Sequence, residues 1–252
     1  ESGKIQFIPW IMMSAFPQNM ELLNLLGLAL GGDGFARVPN LFYTILCLML
    51  FMSFEKELAA PKGTGLLAGV SFLSFPWVFY GTTRALVDIA SAFYGGMTLL
   101  CLWKAREERG KTYLILAGFL SAAGLGTKYL YGIHFGTLLL FWIFLWAFSP
   151  KAKRPPLAQS ILVFAGPALF FGSFWYLRNL SEVGNPFYPF AYRWFQGPFW
   201  SRELEEGLLL VRRQFGPPKT PLHFLILPYH FLKEGYGLFA FVPLFIFLKK
   251  RR

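Results

Sequence analysis

Long uncharged apolar segments recur along this chain, and they constrain its fold more than any other feature of the sequence. In lipid, every backbone hydrogen bond must be made within the protein, so only helices and closed barrels cross a membrane. A barrel needs short segments of alternating polarity, whereas the segments here are continuously apolar. The sequence therefore predicts an all-α fold, a polytopic bundle of transmembrane helices. About seven spans are predicted, at residues 38–54, 63–83, 85–103, 112–127, 129–148, 157–177 and 235–248.

The composition agrees with a membrane protein and argues against a nucleic-acid partner. Charged residues make up 15% of the 252 positions, whereas a soluble domain carries about a quarter. The net charge is +11, but the basic residues stand in short clusters between the apolar segments. Such clusters are the usual topology signal of a membrane protein. We therefore expect membrane lipids, and no nucleic acid, among the partners of the chain.

The basic clusters occupy every second connection between the predicted spans. They are Lys56 with Lys62, then Lys104, Arg106, Arg109 and Lys111, then Lys151, Lys153 and Arg154, and finally residues 249–252. The alternate short connections carry only Arg84 and Lys128. The positive-inside rule assigns the four clusters to the cytoplasm. The opposite, outer side is then predicted to hold residues 1–36, Arg84, Lys128 and an outer-face loop segment at 178–221.

A short helix is predicted before the first span, at residues 19–30. Asn19 can cap this helix and Glu21 lies in its first turn, where a carboxylate suits the helix dipole. The GGDG sequence at 31–34 ends it. The helix is too short to cross a bilayer, so we expect it to lie at the outer interface. Glu21 either stabilises the helix start or lines a site, and the first interpretation is favoured.

Three charged side chains are predicted to lie where apolar segments meet the outer surface. Arg84 and Asp88 are four residues apart, so a helix would bring them to one face. They can form a local ion pair, or Asp88 can mark a site, because an acid at membrane depth is costly. Lys128 can extend its ammonium to the interface without further function, or it can bind a ligand there.

The segment WYLRNLSEVGNPFYPF, at residues 175–190, follows an uncharged run and begins the outer loop. Arg178 carries a planar, permanently charged guanidinium that suits a phosphate at headgroup depth. The alternative is an interfacial anchor within an aromatic belt. Asn179 follows it directly, and Asn185 and Tyr188 lie in a turn that prolines hold in an extended path. This turn can wall a groove or simply lie on the membrane.

Other residue types give weaker signals. His134 is alone among aliphatic residues and is interpreted as an interior hydrogen-bonded side chain. Cys47 and Cys101 both lie within apolar segments, so they are interpreted as packing residues. No His, Cys, Asp and Glu spacing is typical of a metal site. The cofactor therefore stays unknown at this stage.

Four blocks of sequence resemble bacterial GT-C-type glycosyltransferases, the relatives of protein O-mannosyltransferases and of the aminoarabinose transferase of lipid A. The blocks are FPQNMELLNLLGLALGGDGFARV, ALVDIASAF, AGFLSAAGLGTKYLYGI and WYLRNLSEVGNPFYPF. They follow the order of the family and span nearly the whole chain. The most specific part is the combination of Gly-Thr-Lys-Tyr with Trp-Tyr-x-Arg-Asn and the Gly-Asn-Pro-x-Tyr-Pro turn.

The resemblance implies a GT-C-like bundle in the bacterial cytoplasmic membrane with its active face outside the cytoplasm. Such enzymes take a sugar from a polyprenyl-phosphate carrier and pass it to an acceptor. By this resemblance Lys128, Arg178 and Arg84 are the phosphate-binding candidates, and Asn179, Asn185 and Tyr188 belong to the groove. A divalent metal is compatible with the family, but no motif for one is present.

The resemblance also implies a catalytic acid in a first outer loop that would precede Glu1. We therefore expect residues 1–252 to be one integral-membrane domain of a longer protein. Glu21 and Asp88 are the candidates for an acid within it, although neither matches the position of the family's acidic motif. Two alternatives stay open, a transporter or flippase of lipid-linked sugars and a non-catalytic membrane scaffold. The enzyme hypothesis predicts that Arg84, Asp88, Lys128 and Arg178 converge on one outward-facing cavity.

Overall fold

The computed structural model describes residues 5–106, 110–150 and 154–215, together with residues 220, 222, 226 and 229. Within these residues the chain is all helical and contains no strand, as the sequence predicts. A short 3-10 helix at Met12–Ala15 precedes the α-helices. These are α1 (Asn19–Ala36), α2 (Val38–Glu57), α3 (Thr64–Leu73), α4 (Pro76–Thr82), α5 (Asp88–Lys104), α6 (Gly110–Leu125), α7 (Tyr131–Phe148), α8 (Leu157–Gly172), α9 (Phe174–Val183), α10 (Tyr192–Phe195) and α11 (Arg202–Phe215).

Two helices, α2 and α7, are long and apolar enough to cross a membrane on their own. Two further pairs qualify only if each bent pair is one span: α3 with α4, bent by 80°, and α8 with α9, bent by 45°. The described residues therefore contain two to four candidate spans, which is consistent with a membrane protein. The predicted count of seven stays a prediction, and the span predicted at 235–248 lies outside the described residues.

The two bends differ from the helices that the sequence predicts. The predicted span at 63–83 is broken before Pro76, because the preceding Phe75 takes an extended conformation and a proline cannot donate to the previous turn. Pro167, inside the predicted span at 157–177, leaves α8 unbroken, and the 45° change of direction lies at Ser173, between α8 and α9.

Helix α6 lies at the centre of the bundle, with α5 on one side and α8 on the other. Small residues line its contact with α8: a Cβ on Gly118 would lie 2.6 Å from the carbonyl oxygen of Phe164. Beside this contact, Leu102 and Phe164 are fully buried in the main core cluster. The buried Trp142 belongs to the same cluster, and its Nε1 donates to Ser160 Oγ at 3.0 Å. The close approach of the backbones keeps this part of the core compact.

The bundle has two distinct ends. At one, which we call the basic end, the Lys104 ammonium lies 2.7 Å from a Glu57 carboxylate oxygen, and Arg154 donates to the last carbonyls of α7. The other, which we call the site end, contains the start of α1, the α4–α5 turn, the α6–α7 turn and the end of α9. At the site end, the backbone amide of Asn19 donates to Gly126 O at 2.9 Å. The described basic clusters thus share one end, as the alternation in the sequence predicts.

Helix α1 differs from the prediction in two ways. The GGDG sequence does interrupt it, at Gly31 and at Gly32 with its φ of +73°, but a second helical segment continues to Ala36. Asn19 is the first residue of the helix rather than its N-cap, which is Gln18, and Gln18 makes no side-chain capping hydrogen bond. Asn19 Oδ1 instead accepts from Trp175 Nε1 at 2.7 Å, because tertiary contact with α9 offers a closer partner than the helix start. Asn19 therefore ties α1 to α9.

Candidate functional site

An ion pair between Lys128 and Asp88 marks the site end. Lys128 Nζ lies 2.5 Å from Asp88 Oδ1, with 33% and 59% of the respective side chains exposed. Asp88 is the first residue of α5, so its carboxylate is also favoured by the helix dipole. An exposed pair of this kind adds little to stability, about 1 kcal/mol or less. Its ammonium can therefore exchange one anionic partner for another at low cost.

Arg84 does not form the ion pair with Asp88 that the sequence allows. It lies in the turn before α5 rather than in a helix, so the spacing of four residues does not bring the two side chains to one face. Its guanidinium instead lies over the ring of Tyr80, 4.8 Å from the ring centroid. The structure therefore brings Lys128, and not Arg84, to Asp88.

Glu21 adds a second carboxylate to the Lys128 environment. Its side chain reaches solvent, yet the surrounding protein displaces much of the water around it, and this desolvation raises the pKa of Glu21 to about 7. A backbone hydrogen bond and the attraction of Lys128 act in the opposite direction and lower the pKa. Glu21 is thus able to exchange a proton near neutral pH.

A cavity of about 410 Å³ opens beside Asp88, in the elbow where α3 and α4 bend. Trp77 and Tyr80 supply aromatic walls. A second cavity of about 390 Å³ lies beyond Ala92, which lines both cavities. Polar groups of Ser91, His134 and Thr137 line the second one, together with Gly95 and Gly96. His134 therefore lines a cavity rather than a sealed interior.

Arg178 lies in a different, buried network. Only 8% of its side chain is exposed. Its Nη2 donates to Ser14 O at 2.7 Å and to Asn179 Oδ1 at 3.0 Å, and its guanidinium lies 5.0 Å from the Trp175 ring centroid. Nε is 3.5 Å from a carboxylate oxygen of Glu182, an ion-pair distance without hydrogen-bond geometry, and Nε and Nη1 have no hydrogen-bond partner. In this structure Arg178 clamps the N-terminal segment to α9.

Asn179 and Tyr129 complete this network. Asn179 is almost fully buried, and its Nδ2 donates to Ala15 O at 2.5 Å and to the Tyr129 hydroxyl at 2.7 Å. That hydroxyl also lies 3.0 Å from Ala15 O and 3.2 Å from Tyr188 O. Burial raises the pKa of Tyr129, so the hydroxyl stays protonated. Tyr129 is not among the site residues that the sequence predicts, although its position beside Lys128 points to it.

The loop after α9 is held by side chains that the sequence analysis assigned to a turn. Gly184 ends α9 with φ +72°, and Asn185 Nδ2 donates to Phe190 O and Gln196 O, both at 2.9 Å. Tyr188 is buried and donates from its hydroxyl to Pro198 O at 2.9 Å. The turn predicted from Gly184 and Asn185 is present. Beside it, an apolar cavity of about 340 Å³ is lined by residues that include Tyr129, Tyr176 and Phe187.

The candidate residues thus form two neighbouring groups rather than one cavity. Glu21, Asp88 and Lys128 form an accessible charged group, which we call the charged cluster. Arg178 and Asn179 lie in the buried network, and the consecutive residues 128 and 129 join the two. Among the described residues, no three His, Cys, Asp or Glu side chains come together as a metal site would require.

Comparisons with known proteins add no relative. No family model matches this chain, and no match was found among the curated proteins or the solved structures.

Proposed function

We propose that this chain takes part in transferring a sugar from a polyprenyl-phosphate carrier to an acceptor at the outer face of a bacterial cytoplasmic membrane. The observation that carries the proposal is the charged cluster: the Lys128 ammonium lies 2.5 Å from Asp88 and within electrostatic range of Glu21. It lies at the bundle end opposite the basic loops. An apolar bundle with one reactive polar end suits a substrate that joins a lipid to a sugar.

The chemistry of sugar transfer needs two kinds of group. The acceptor hydroxyl attacks the anomeric carbon, the bond from that carbon to the phosphate oxygen breaks, and the electron pair leaves with polyprenyl phosphate. A cation must stabilise the charge on the leaving phosphate, which Lys128 can do once it exchanges Asp88 for the phosphate. A base must take the acceptor proton, and Glu21 has a suitable pKa of about 7.

The test compares two lysines in the full-length protein, reconstituted in lipid vesicles with a panel of radiolabelled polyprenyl-phosphate sugars. Lys128→Met removes the cation, and we expect the release of polyprenyl phosphate to fall about 100-fold or more. Lys62→Met is the matched control, because this exposed lysine lies at the basic end. Normal folding of both variants is checked by thermal unfolding. An unchanged rate in a folded Lys128→Met protein would contradict the proposal.

A second candidate is a transporter or flippase of lipid-linked sugars. The observation in its favour is that two helix pairs are bent, α3–α4 by 80° and α8–α9 by 45°. Broken helices near a binding site are typical of transporters. The same vesicles separate the two functions, because a flippase moves the intact lipid-linked sugar between leaflets without releasing polyprenyl phosphate.

A further inference from the structure

Helix α11 has an apolar stripe that the rest of the described chain leaves uncovered. Leu204, Leu208 and Val211 recur at intervals of four and three residues and so lie along one face of the helix. Leu204 and Val211 are each 51% exposed, and Leu208 between them is half-buried. The opposite face carries Arg202 and Glu206, whose side chains form an ion pair with an N–O distance of 3.0 Å. The helix is therefore strongly amphipathic.

The position of α11 places its start at the site end of the bundle. Trp200, just before it, packs against the buried cluster of Ala15, Val183 and Tyr188. The helix thus leaves the bundle at the level where the apolar helices end. For helices that span a membrane, this is the level of the lipid headgroups.

Exposed aromatic residues precede α11 in the same segment. Trp194 is 78% exposed, Phe199 is 64% exposed and Phe195 is 45% exposed. Aromatic side chains of this kind are concentrated where a membrane protein meets the headgroup region. Together with the apolar stripe of α11, they expose apolar side chains in the segment from 194 to 211.

We propose that α11 lies in the plane of the membrane interface, with Leu204, Leu208 and Val211 inserted among the lipids at the site end. An amphipathic helix with a strongly polar face and low overall hydrophobicity binds the interface in this way. The inference requires that the bundle spans a membrane, and it does not depend on sugar transfer.

The charges of α11 identify the kind of lipid surface that it fits. Between residues 202 and 213 the sequence has three acidic and three basic residues, Glu203, Glu205, Glu206, Arg202, Arg212 and Arg213. This balance gives no net attraction to anionic headgroups. The helix therefore binds through its buried apolar area, and it inserts equally well into zwitterionic and anionic bilayers.

The test places a fluorophore on each face of α11 in the full-length protein. Leu208→Cys lies on the apolar stripe, and Glu206→Cys is the matched control on the polar face. The native cysteines, Cys47 and Cys101, are buried and are replaced by alanine to keep the labelling specific. Each labelled protein is reconstituted in zwitterionic vesicles, with and without lipids brominated near the headgroup.

We expect the label at position 208 to emit at shorter wavelength and to be quenched by the brominated lipid, while the label at position 206 stays in water and is not quenched. The same result is expected in vesicles that contain anionic lipid. A label at 208 that reports water overturns the proposal. A label at 208 that is shielded from water but not quenched by lipid also overturns it, since the stripe would then be covered by protein, such as a second copy of the chain.

Discussion

At the scale of single residues, Glu21 is the group whose charge changes near neutral pH. Its pKa is about 7 in the folded protein, against 4.5 for a freely solvated glutamate, so the folded state binds more protons between these two values. The free energy of unfolding is therefore expected to fall as the pH rises from about 4.5 to about 7, and to level off above this. Under the proposed function, transfer rises over the approach to pH 7, as the base loses its proton.

Glu21→Gln removes both effects, because the amide does not titrate. The measurements are thermal unfolding in detergent and the transfer rate, each between pH 4.5 and pH 8. Asp33→Asn, on the second segment of the same helix, is the control and is expected to keep both pH profiles. A Glu21→Gln protein whose stability still falls over this range would show that another group is responsible.

The residue types at the site end could be predicted from the sequence, but their partners could not. Apolar segments and basic clusters placed Asp88 and Lys128 at one end without any structure. Their pairing depends on how α5 and the α6–α7 turn meet in space, which spacing along the chain does not show. The same holds for Asn19, which the sequence offers as a helix cap and which the fold uses as an acceptor for Trp175.

At the scale of helices, the contact between α6 and α8 depends on the absence of a side chain at Gly118. A Cβ there would lie 2.6 Å from Phe164 O and 3.1 Å from the Pro167 ring, so the two helices would have to separate. We expect Gly118→Ala to lower stability by about 1–3 kcal/mol. Thermal unfolding in detergent measures the change.

Gly136→Ala in α7 is the matched control for this contact. Nothing lies within 4 Å of a Cβ built on Gly136. Alanine favours a helix over glycine by up to about 1 kcal/mol, so this variant is expected to be as stable as the original or slightly more stable. Equal losses of stability in the two variants would contradict the close α6–α8 contact.

The helices of the apolar segments are the part of the fold that the sequence predicts well. Helix breaks are predicted poorly, and so are α10 and α11, which lie in the segment 178–221 that was predicted as an outer loop. Continuous apolar segments indicate helices. A proline, however, breaks a helix in one place and is accommodated in another. Pro76 begins α4 after an 80° bend, whereas Pro167 remains inside α8 and packs against Gly118. The difference comes from the neighbouring helix, which local sequence does not contain.

At the scale of the whole molecule, the distribution of charge divides the bundle into two ends. Charge alternation along the sequence was sufficient to predict this division, because successive helices run in opposite directions. The structure adds what each end consists of: ion pairs and helix caps at the basic end, and the charged cluster with the buried network at the site end. The orientation of these ends relative to the cytoplasm follows from the positive-inside rule and can be measured.

One cysteine at each end makes this measurement. Lys62→Cys lies at the basic end and Arg84→Cys at the site end, in a background in which Cys47 and Cys101 are replaced by alanine. A membrane-impermeant maleimide is expected to label position 84 in intact cells and position 62 only after the membrane is permeabilised. Labelling of both positions after permeabilisation is the control for accessibility. The reverse pattern would place the charged cluster in the cytoplasm, and the proposed transfer at the outer face would then be excluded.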